Sequence, residues 1–139
     1  MAAMPNTVLG FDFGLKRIGC AVGQSITQTA SPLPILPANQ GIPDWTKIDA
    51  LMRNWKPSAL VVGMPVKERE TDTVLTEEVT TFVQQLTVRY DLPVHTMDER
   101  FSTREARAIL QEKHGKSFSH EKVDSLAACL IIESWLNKI

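Results

Sequence analysis

The chain has 139 residues, of which 43% are apolar and 22% are charged, and its formal net charge is −1. This balance predicts one globular domain over residues 1–139, and it excludes a disordered chain and a protein that attracts nucleic acid through a global basic field. We find no leader-like segment and no apolar run long enough to span a bilayer, so we expect a cytoplasmic protein with no membrane partner.

The first part of the chain predicts three strands that form a meander. A β-rich run covers residues 7–13, and further strands are expected over 18–23 and about 30–36. Because the connections are short, these strands should pair antiparallel. Pro32 and Pro34 favour an edge position for the third strand, since proline cannot donate to a neighbouring strand.

The rest of the chain alternates helices and strands. A loop is expected over 40–43, after which Asp44 predicts the N-cap of a helix that ends near Trp55. The apolar run at 59–64 predicts a strand covered on both faces. The remaining predicted elements are a helix that ends near residue 90, a strand over 93–97, a helix over about 102–113 that opens with a capping box at Ser102 and Glu105, and a last helix over about 121–136.

The predicted order of elements is therefore β-β-β-α-β-α-β-α-α. A meander followed by two strand–helix alternations predicts an α/β domain with a five-stranded mixed sheet flanked by helices. The later strands should run parallel to the first, because helical crossovers join them. The ribonuclease H-like fold has this order, whereas a doubly wound fold does not begin with a meander.

The two cysteines, Cys20 and Cys129, stand among apolar neighbours. They lack the Cys-x-x-Cys or Cys/His spacing of a zinc site. We therefore expect two buried, reduced thiols.

Acidic residues lie within or directly after two predicted strands. Asp12 lies within the first strand, where alternation places it on one face with Val8 and Gly10. It indicates either a functional carboxylate or an acid that hydrogen-bonds to the following turn. Asp98 and Glu99 follow an apolar strand at the end where α/β proteins build sites, although solvated loop charge also explains this pair.

Asp124 is the third acidic position of interest. It shares a face of the last helix with Ala127, Ala128 and Ile131. We expect that face to be buried against the sheet, where an acid is costly unless it is paired or binds a metal. The helix dipole or a pairing with Lys122 would explain the same acid without a function.

In the proposed fold the acids converge. The first strand is central, the strand before Asp98 lies beside it, and the last helix packs across both. Carboxylates at close quarters repel one another unless cations occupy the site. Oxygen ligands suit Mg²⁺ or Mn²⁺ rather than zinc, and such ions can orient a water molecule and stabilise the leaving oxygen of a phosphodiester.

Four motifs resemble those of the YqgF (RuvX) family and follow in the family's order. They are FDFGLKRIGCAVG at 11–23, VVGMP at 61–65, DERFST at 98–103 and KVDSLAA at 122–128. Together they span almost the whole chain. A single motif would be weak evidence for the resemblance, whereas four motifs in the family's order are strong evidence. The loop at 66–72 departs from the family, because it reads VKERETD where the family usually has Asn-Met-Asp-Gly-Thr.

The resemblance implies a nuclease that hydrolyses phosphodiester bonds in 5′-end processing of precursor 16S rRNA during ribosome biogenesis, with a Holliday-junction-resolvase-like DNA nuclease as the alternative. Carried onto this chain, the catalytic acids are Asp12, Glu99 and Asp124, with Asp98 as a further metal ligand or a structural neighbour. Alternation allows only one of Asp98 and Glu99 to point inward. The implied cofactor is Mg²⁺ or Mn²⁺. The implied partners are precursor rRNA, branched DNA, the ribosome or the transcription machinery, for a monomer or a weak homodimer.

Basic residues near the acids would form a local positive rim that places phosphates. Lys16 and Arg17 are the strongest candidates for phosphate binding, because they follow the turn after Asp12. The other candidates for nucleic-acid binding are Arg100, Arg104, Lys116 and Lys122. Taken alone, each of these residues is also explained as an ordinary charged side chain exposed to solvent.

Other function classes compete with this interpretation. A phosphotransferase of the sugar-kinase and actin type also carries Asp-x-Gly after a strand, but it needs two such domains to enclose ATP. A non-catalytic binder of RNA, junction DNA or the transcription machinery would not need the acids. Junction resolution would need a dimer with two sites, and Trp135 is either a dimer contact or, more often for such a residue, part of the core.

Overall fold

The computed structural model describes residues 6–64, 76–98, 102–114 and 120–138. These ranges contain strands and helices in the predicted order, with one additional strand. In chain order they are β1 (Thr7–Asp12), β2 (Arg17–Gln24), β3 (Thr29–Asn39), β4 (Ile42–Pro43), α1 (Trp45–Trp55), β5 (Ala59–Met64), α2 (Thr76–Tyr90), β6 (Val94–Asp98), α3 (Ser102–His114) and α4 (His120–Lys138). No helix within these ranges is both long enough and apolar enough to cross a membrane.

The strands form one mixed sheet in the order β4-β3-β2-β1-β5-β6. The pairs β1–β2 and β2–β3 are antiparallel, whereas β1–β5 and β5–β6 are parallel. This arrangement confirms the predicted meander and the parallel later strands. The edge position of β3 is also confirmed around Pro32 and Pro34, because β4 pairs only with Ala38 and Asn39.

The sheet has six strands where five were predicted, and the additional strand lies in the predicted loop at 40–43. Gln40 and Gly41 both have positive φ, 53° and 83°, and Asn39 pairs with Ile42 across them. Two adjacent residues with positive φ form the kind of tight turn that joins neighbouring antiparallel strands. A strand of two residues has no alternating pattern, so the sequence carried no signal for it.

Helix α1 begins and ends as the sequence predicts. The Asp44 side chain caps it by accepting a hydrogen bond from the Thr46 backbone N–H at 3.0 Å. The left-handed conformation of Lys56, with φ of 47°, ends it directly before Pro57. Ile48 in the first turn of the helix is buried, while Trp55 at its end is 38% exposed.

The sheet is covered on both faces, and alternation along the central strand β1 sorts its side chains between them. Leu9 and Phe11 pack with the helices α1 and α2. Val8 packs on the other face, against α4, and an added Cβ at Gly10 would meet α4 as well. The predicted face of Val8, Gly10 and Asp12 is therefore the α4 face. The α4 residues buried there are Ala128, Cys129, Ile131, Ile132, Trp135 and Leu136, which makes Trp135 a core residue.

Both cysteines are unpaired and buried, as predicted. Burial raises the pKa of the Cys20 thiol well above its ordinary value, and the negative charge of Asp12 raises it further. Burial, with a smaller effect from Glu133, raises the pKa of Cys129 to about 12. Both side chains are therefore protonated and shielded at neutral pH.

This protonation predicts slow thiol chemistry in the folded protein. At about pH 8, we expect Cys20 and Cys129 to react with a disulfide reagent more than about 100-fold more slowly than in guanidinium chloride, where both regain ordinary pKa values. Reaction is followed by absorbance of the released thiolate. Rapid labelling of either cysteine in the native protein would contradict the burial.

Candidate functional site

A cleft of about 350 Å³ lies at the carboxyl end of the central strand β1. It is bounded by the loop that joins β1 to β2 and by the first turns of α4. The residues that line it are Asp12, Phe13, Gly14, Leu15, Lys16, Arg17 and Asp124. Two of the predicted acids and two of the predicted phosphate-binding residues therefore share one cavity.

Asp12 is the last residue of β1 and is only 7% exposed. It pairs with Gly19 of β2 and aligns with Gly63 of β5. Glycine therefore stands beside Asp12 on both neighbouring strands. An acid this deeply buried is costly unless it has polar partners or a cation.

Asp124 lies in the first turns of α4 and its carboxylate reaches the same cleft. Arg17 Nε donates a hydrogen bond to Asp124 Oδ2 at 2.8 Å. The two side chains are 39% and 20% exposed, so the ion pair is partly shielded from water. The sequence suggested Lys122 as a partner for Asp124 and missed Arg17, which joins the two ends of the chain at the site.

Gly19 explains how the two acids come together. A Cβ atom at this position would lie 2.2 Å from the backbone carbonyl oxygen of Asp124 and 2.5 Å from the carbonyl carbon. Helix α4 therefore rests its backbone directly on β2, opposite Asp12. A glycine inside a strand often marks such a close approach, and this was the available signal that the sequence prediction did not use.

The loop between β1 and β2, which ends at Lys16 directly before Arg17, is held from outside by the end of β3 and the turn to β4. The Leu15 carbonyl accepts a hydrogen bond from Gly41 N–H, and the Lys16 carbonyl accepts one from Ala38 N–H, both at 2.9 Å. The unpredicted strand β4 thus supports the site, because its turn fixes the backbone from which both cations project.

The side chains at the cleft fit a hard divalent cation. Asp12 and Asp124 supply carboxylate oxygens, and Mg²⁺ is commonly held by one or two carboxylates together with substrate phosphates. Within the described ranges, no three His, Cys, Asp or Glu side chains stand close enough to hold a metal. The donor set described here is therefore a pair of carboxylates, which suits Mg²⁺ or Mn²⁺ and not zinc.

Several predicted site residues lie outside this description. Glu99, Arg100 and Lys116 are not among the described residues, nor is the atypical loop at 66–72. The backbone of Asp98 ends β6 and pairs with Met64, but its side chain and that of Arg104 lie outside the description. Lys122 is exposed on α4, two positions before Asp124. The convergence of a third carboxylate therefore stays a prediction.

Known proteins resemble the chain over nearly its full length. A family profile described as RuvX, Holliday junction resolvase, matches residues 6–138. A relative from Actinobacillus pleuropneumoniae serotype 7 is 47% identical over 133 residues, which are 95% of this chain and 97% of the relative. One from Legionella pneumophila subsp. pneumophila is 48% identical over 137 residues, 97% of this chain and 99% of the relative. Both carry the name "Putative pre-16S rRNA nuclease".

Solved structures share the fold at lower identity. RuvC from T. thermophilus, in complex with a Holliday junction substrate, has a TM-score of 0.55 at 17% identity and covers 95% of this chain and 94% of its own. The fowlpox virus resolvase, in complex with Holliday junction DNA, has a TM-score of 0.54 at 12% identity and covers 95% of this chain and 97% of its own. These structural similarities confirm the predicted ribonuclease H-like fold, and they do not indicate the substrate of this chain.

Proposed function

The chain belongs to the RuvX family, and we propose that it is a cytoplasmic, metal-dependent nuclease that hydrolyses phosphodiester bonds in the 5′-end processing of precursor 16S rRNA. The observation that carries this proposal is the cleft shared by Asp12, Asp124 and Arg17. The names of relatives that are nearly half identical over almost the whole chain support the choice of RNA.

Asp12 and Asp124 are the proposed catalytic acids that hold Mg²⁺ or Mn²⁺. When bound, such an ion supplies Lewis-acid stabilisation of the negative charge that develops on the phosphate during hydrolysis. The protein's part is to fix two carboxylates at one place: Asp12 through its position in the central strand, and Asp124 through the contact of its backbone with Gly19.

Glu99 is our proposed third acid, and the alternation of β6 supports it over Asp98. Met97 and His95 pack against the α4 side of the sheet, the face of Asp12. If the strand pattern continues, the next residue on this face is Glu99, two positions after Met97. Asp98 remains the alternative ligand, as the sequence left it.

Lys16 and Arg17 are the proposed contacts to the phosphates that flank the scissile bond. Both line the cleft beside the acids, and cations around an acidic centre attract the backbone without reading its sequence. We propose Arg100, Arg104, Lys116 and Lys122 as the outer part of this surface. Recognition by RNA shape or by a ribosomal partner follows from the shortage of aromatic residues, which make up 6% of the chain.

Hydrolysis of branched DNA is the second candidate, because the family carries the description of a Holliday junction resolvase. The same carboxylates and metal would serve both reactions, since both break a phosphodiester. Junction resolution would also require a dimer that presents two sites. The substrate therefore distinguishes these functions better than the site does.

The test is cleavage by the purified protein of a precursor 16S 5′-leader RNA and, in parallel, a four-way DNA junction. We expect cleavage of the RNA with Mg²⁺ or Mn²⁺ and none with EDTA. Cleavage of the junction alone would favour the resolvase. No cleavage of either substrate by a folded protein that binds the RNA would point to a non-catalytic binder and overturn the proposal.

A further inference from the structure

The ion pair between Arg17 and Asp124 occupies a carboxylate that the proposed metal ion requires. We infer that Arg17 is a positioning residue that couples metal binding to nucleic-acid binding: it blocks Asp124 in the free protein and moves to a phosphate when nucleic acid enters. This inference rests on the proposed function, because it takes Asp124 as a metal ligand and the cleft as the place of the phosphate.

Arg17 and Asp124 are in direct contact. Arg17 Nε lies 2.8 Å from Asp124 Oδ2, within the range of a strong charge-assisted hydrogen bond. Both residues line the cleft, so the ion pair borders the cavity that the proposed metal ion would occupy. A cation that binds Asp124 must therefore share this carboxylate with Arg17 or displace it.

The two partners of the ion pair differ in their exposure to solvent. The backbone of Arg17 begins β2 and pairs with Pro37, so its main chain is fixed by the sheet. The Arg17 side chain is 39% exposed, roughly twice the exposed fraction of the Asp124 side chain. The guanidinium can therefore turn about a fixed base, whereas the carboxylate is held by α4.

The charges of the metal ion and the phosphate both favour the transfer of Arg17 from Asp124 to the phosphate. A divalent cation placed beside the guanidinium is repelled by it, and the repulsion is poorly screened in a partly enclosed cleft. A phosphate brings a negative charge and several acceptor oxygens, which the planar fork of Arg recognises well. Transfer of Arg17 from Asp124 to the phosphate therefore frees Oδ2 and removes a like charge from the metal's surroundings.

The consequence is mutual reinforcement of the two ligands. If nucleic acid raises the affinity for metal by removing Arg17, metal must raise the affinity for nucleic acid by the same factor. The free protein would then hold metal weakly, and the complete site would form only on nucleic acid. Such an arrangement limits hydrolysis to bound substrate.

The test uses the full chain and Mn²⁺ as the probe, with binding followed by electron paramagnetic resonance in the absence of nucleic acid. We expect Arg17→Gln to bind Mn²⁺ on the order of fivefold more tightly than wild type, since the competing cation is gone. Lys16→Gln is the matched control: it removes the same charge from the preceding, exposed residue, and it should change the Mn²⁺ affinity by less than about twofold.

Binding of the precursor 16S 5′-leader RNA in EDTA provides a second readout that needs no metal. Both variants should bind the RNA more weakly than wild type, and each should reduce the salt-dependence slope of log K by about one phosphate contact. If Arg17 has a purely structural role, Arg17→Gln should lower the thermal stability, and the two variants should not differ in Mn²⁺ affinity.

The outcomes separate this inference from the proposed function. Wild-type or weaker Mn²⁺ affinity in Arg17→Gln would overturn the coupling and leave the metal site standing. Equal tightening in both variants would also overturn it, because general charge would then be the cause. If neither wild type nor Arg17→Gln binds Mn²⁺ at millimolar concentrations, with or without the RNA, the metal-dependent function itself fails, and the coupling with it.

Discussion

Asp12→Asn is expected to reduce the rate of RNA cleavage by on the order of 10²- to 10³-fold, which corresponds to about 3–4 kcal/mol of the activation barrier. The substitution keeps the shape of the side chain and removes its charge. Because Asp12 is 7% exposed at the cleft and lies on the α4 face beside Asp124, it is the described residue whose charge is least shared with water. Its loss should act on metal retention and hence on the chemical step.

The measurement is a single-turnover cleavage rate at saturating protein, with Mn²⁺ titrated to separate weak metal binding from slow chemistry. RNA binding in EDTA should remain within about twofold of wild type, because the positive residues are untouched. Asp91→Asn is the matched control. It makes the same chemical change at an exposed residue with φ of 53°, a conformation that Asn tolerates well, and should leave cleavage unchanged.

A cleavage rate for Asp12→Asn close to that of wild type would contradict the role of this carboxylate. Because Asp12 also raises the pKa of Cys20, the variant offers a check that the substitution has changed the local field. The pKa of Cys20 should fall towards its ordinary range, although burial, the larger cause, remains. Slightly faster thiol labelling with unchanged thermal stability would show an intact fold around an altered site.

Local signals in the sequence were sufficient for most of the fold. The cap at Asp44, the apolar run that became β5 and the short connections of the meander each depend on neighbouring residues, which the sequence presents directly. The side of the sheet on which Asp12 lies followed from period-two alternation along β1. Strand β4 was not predictable in this way, because its two residues pair through a turn without the common Asn-Gly or Asp-Gly signature.

The contacts that build the site join residues far apart in the chain, and these individual contacts were not predicted from the sequence. Pairing of Arg17 with Asp124 depends on the angle and depth at which α4 packs on β2. Lys122, two positions before Asp124 in the chain, was the partner that the sequence suggested. That packing depth is set by Gly19, whose role is visible only once the backbone of Asp124 is placed against it. The sequence therefore predicted that Asp12 and Asp124 converge, but not the contacts between β2 and α4 that hold them together.

Gly19→Ala is expected to lower the free energy of unfolding by about 3 kcal/mol, at the upper end of the cost of overpacking. The new methyl would lie 2.2 Å from the carbonyl oxygen of Asp124, a backbone atom that cannot move without the helix. Urea denaturation followed by circular dichroism measures the loss. Gly23→Ala is the matched control on the same strand, because its methyl would meet a side-chain atom of α4, Ile132 Cγ2, and not the helix backbone, at a cost of about 1–2 kcal/mol.

The comparison of these two variants separates stability from site geometry. At a temperature where both are folded, Gly19→Ala should lose cleavage by more than about tenfold, because α4 must shift away and carry the Asp124 carboxylate from Asp12. Gly23→Ala, whose methyl meets α4 two turns further along the helix, should keep most of its activity. Equal loss of activity in both would mean that any loosening of α4 impairs the enzyme. Loss confined to Gly19→Ala would identify the approach of Asp124 to β2 as the contact that assembles the two carboxylates.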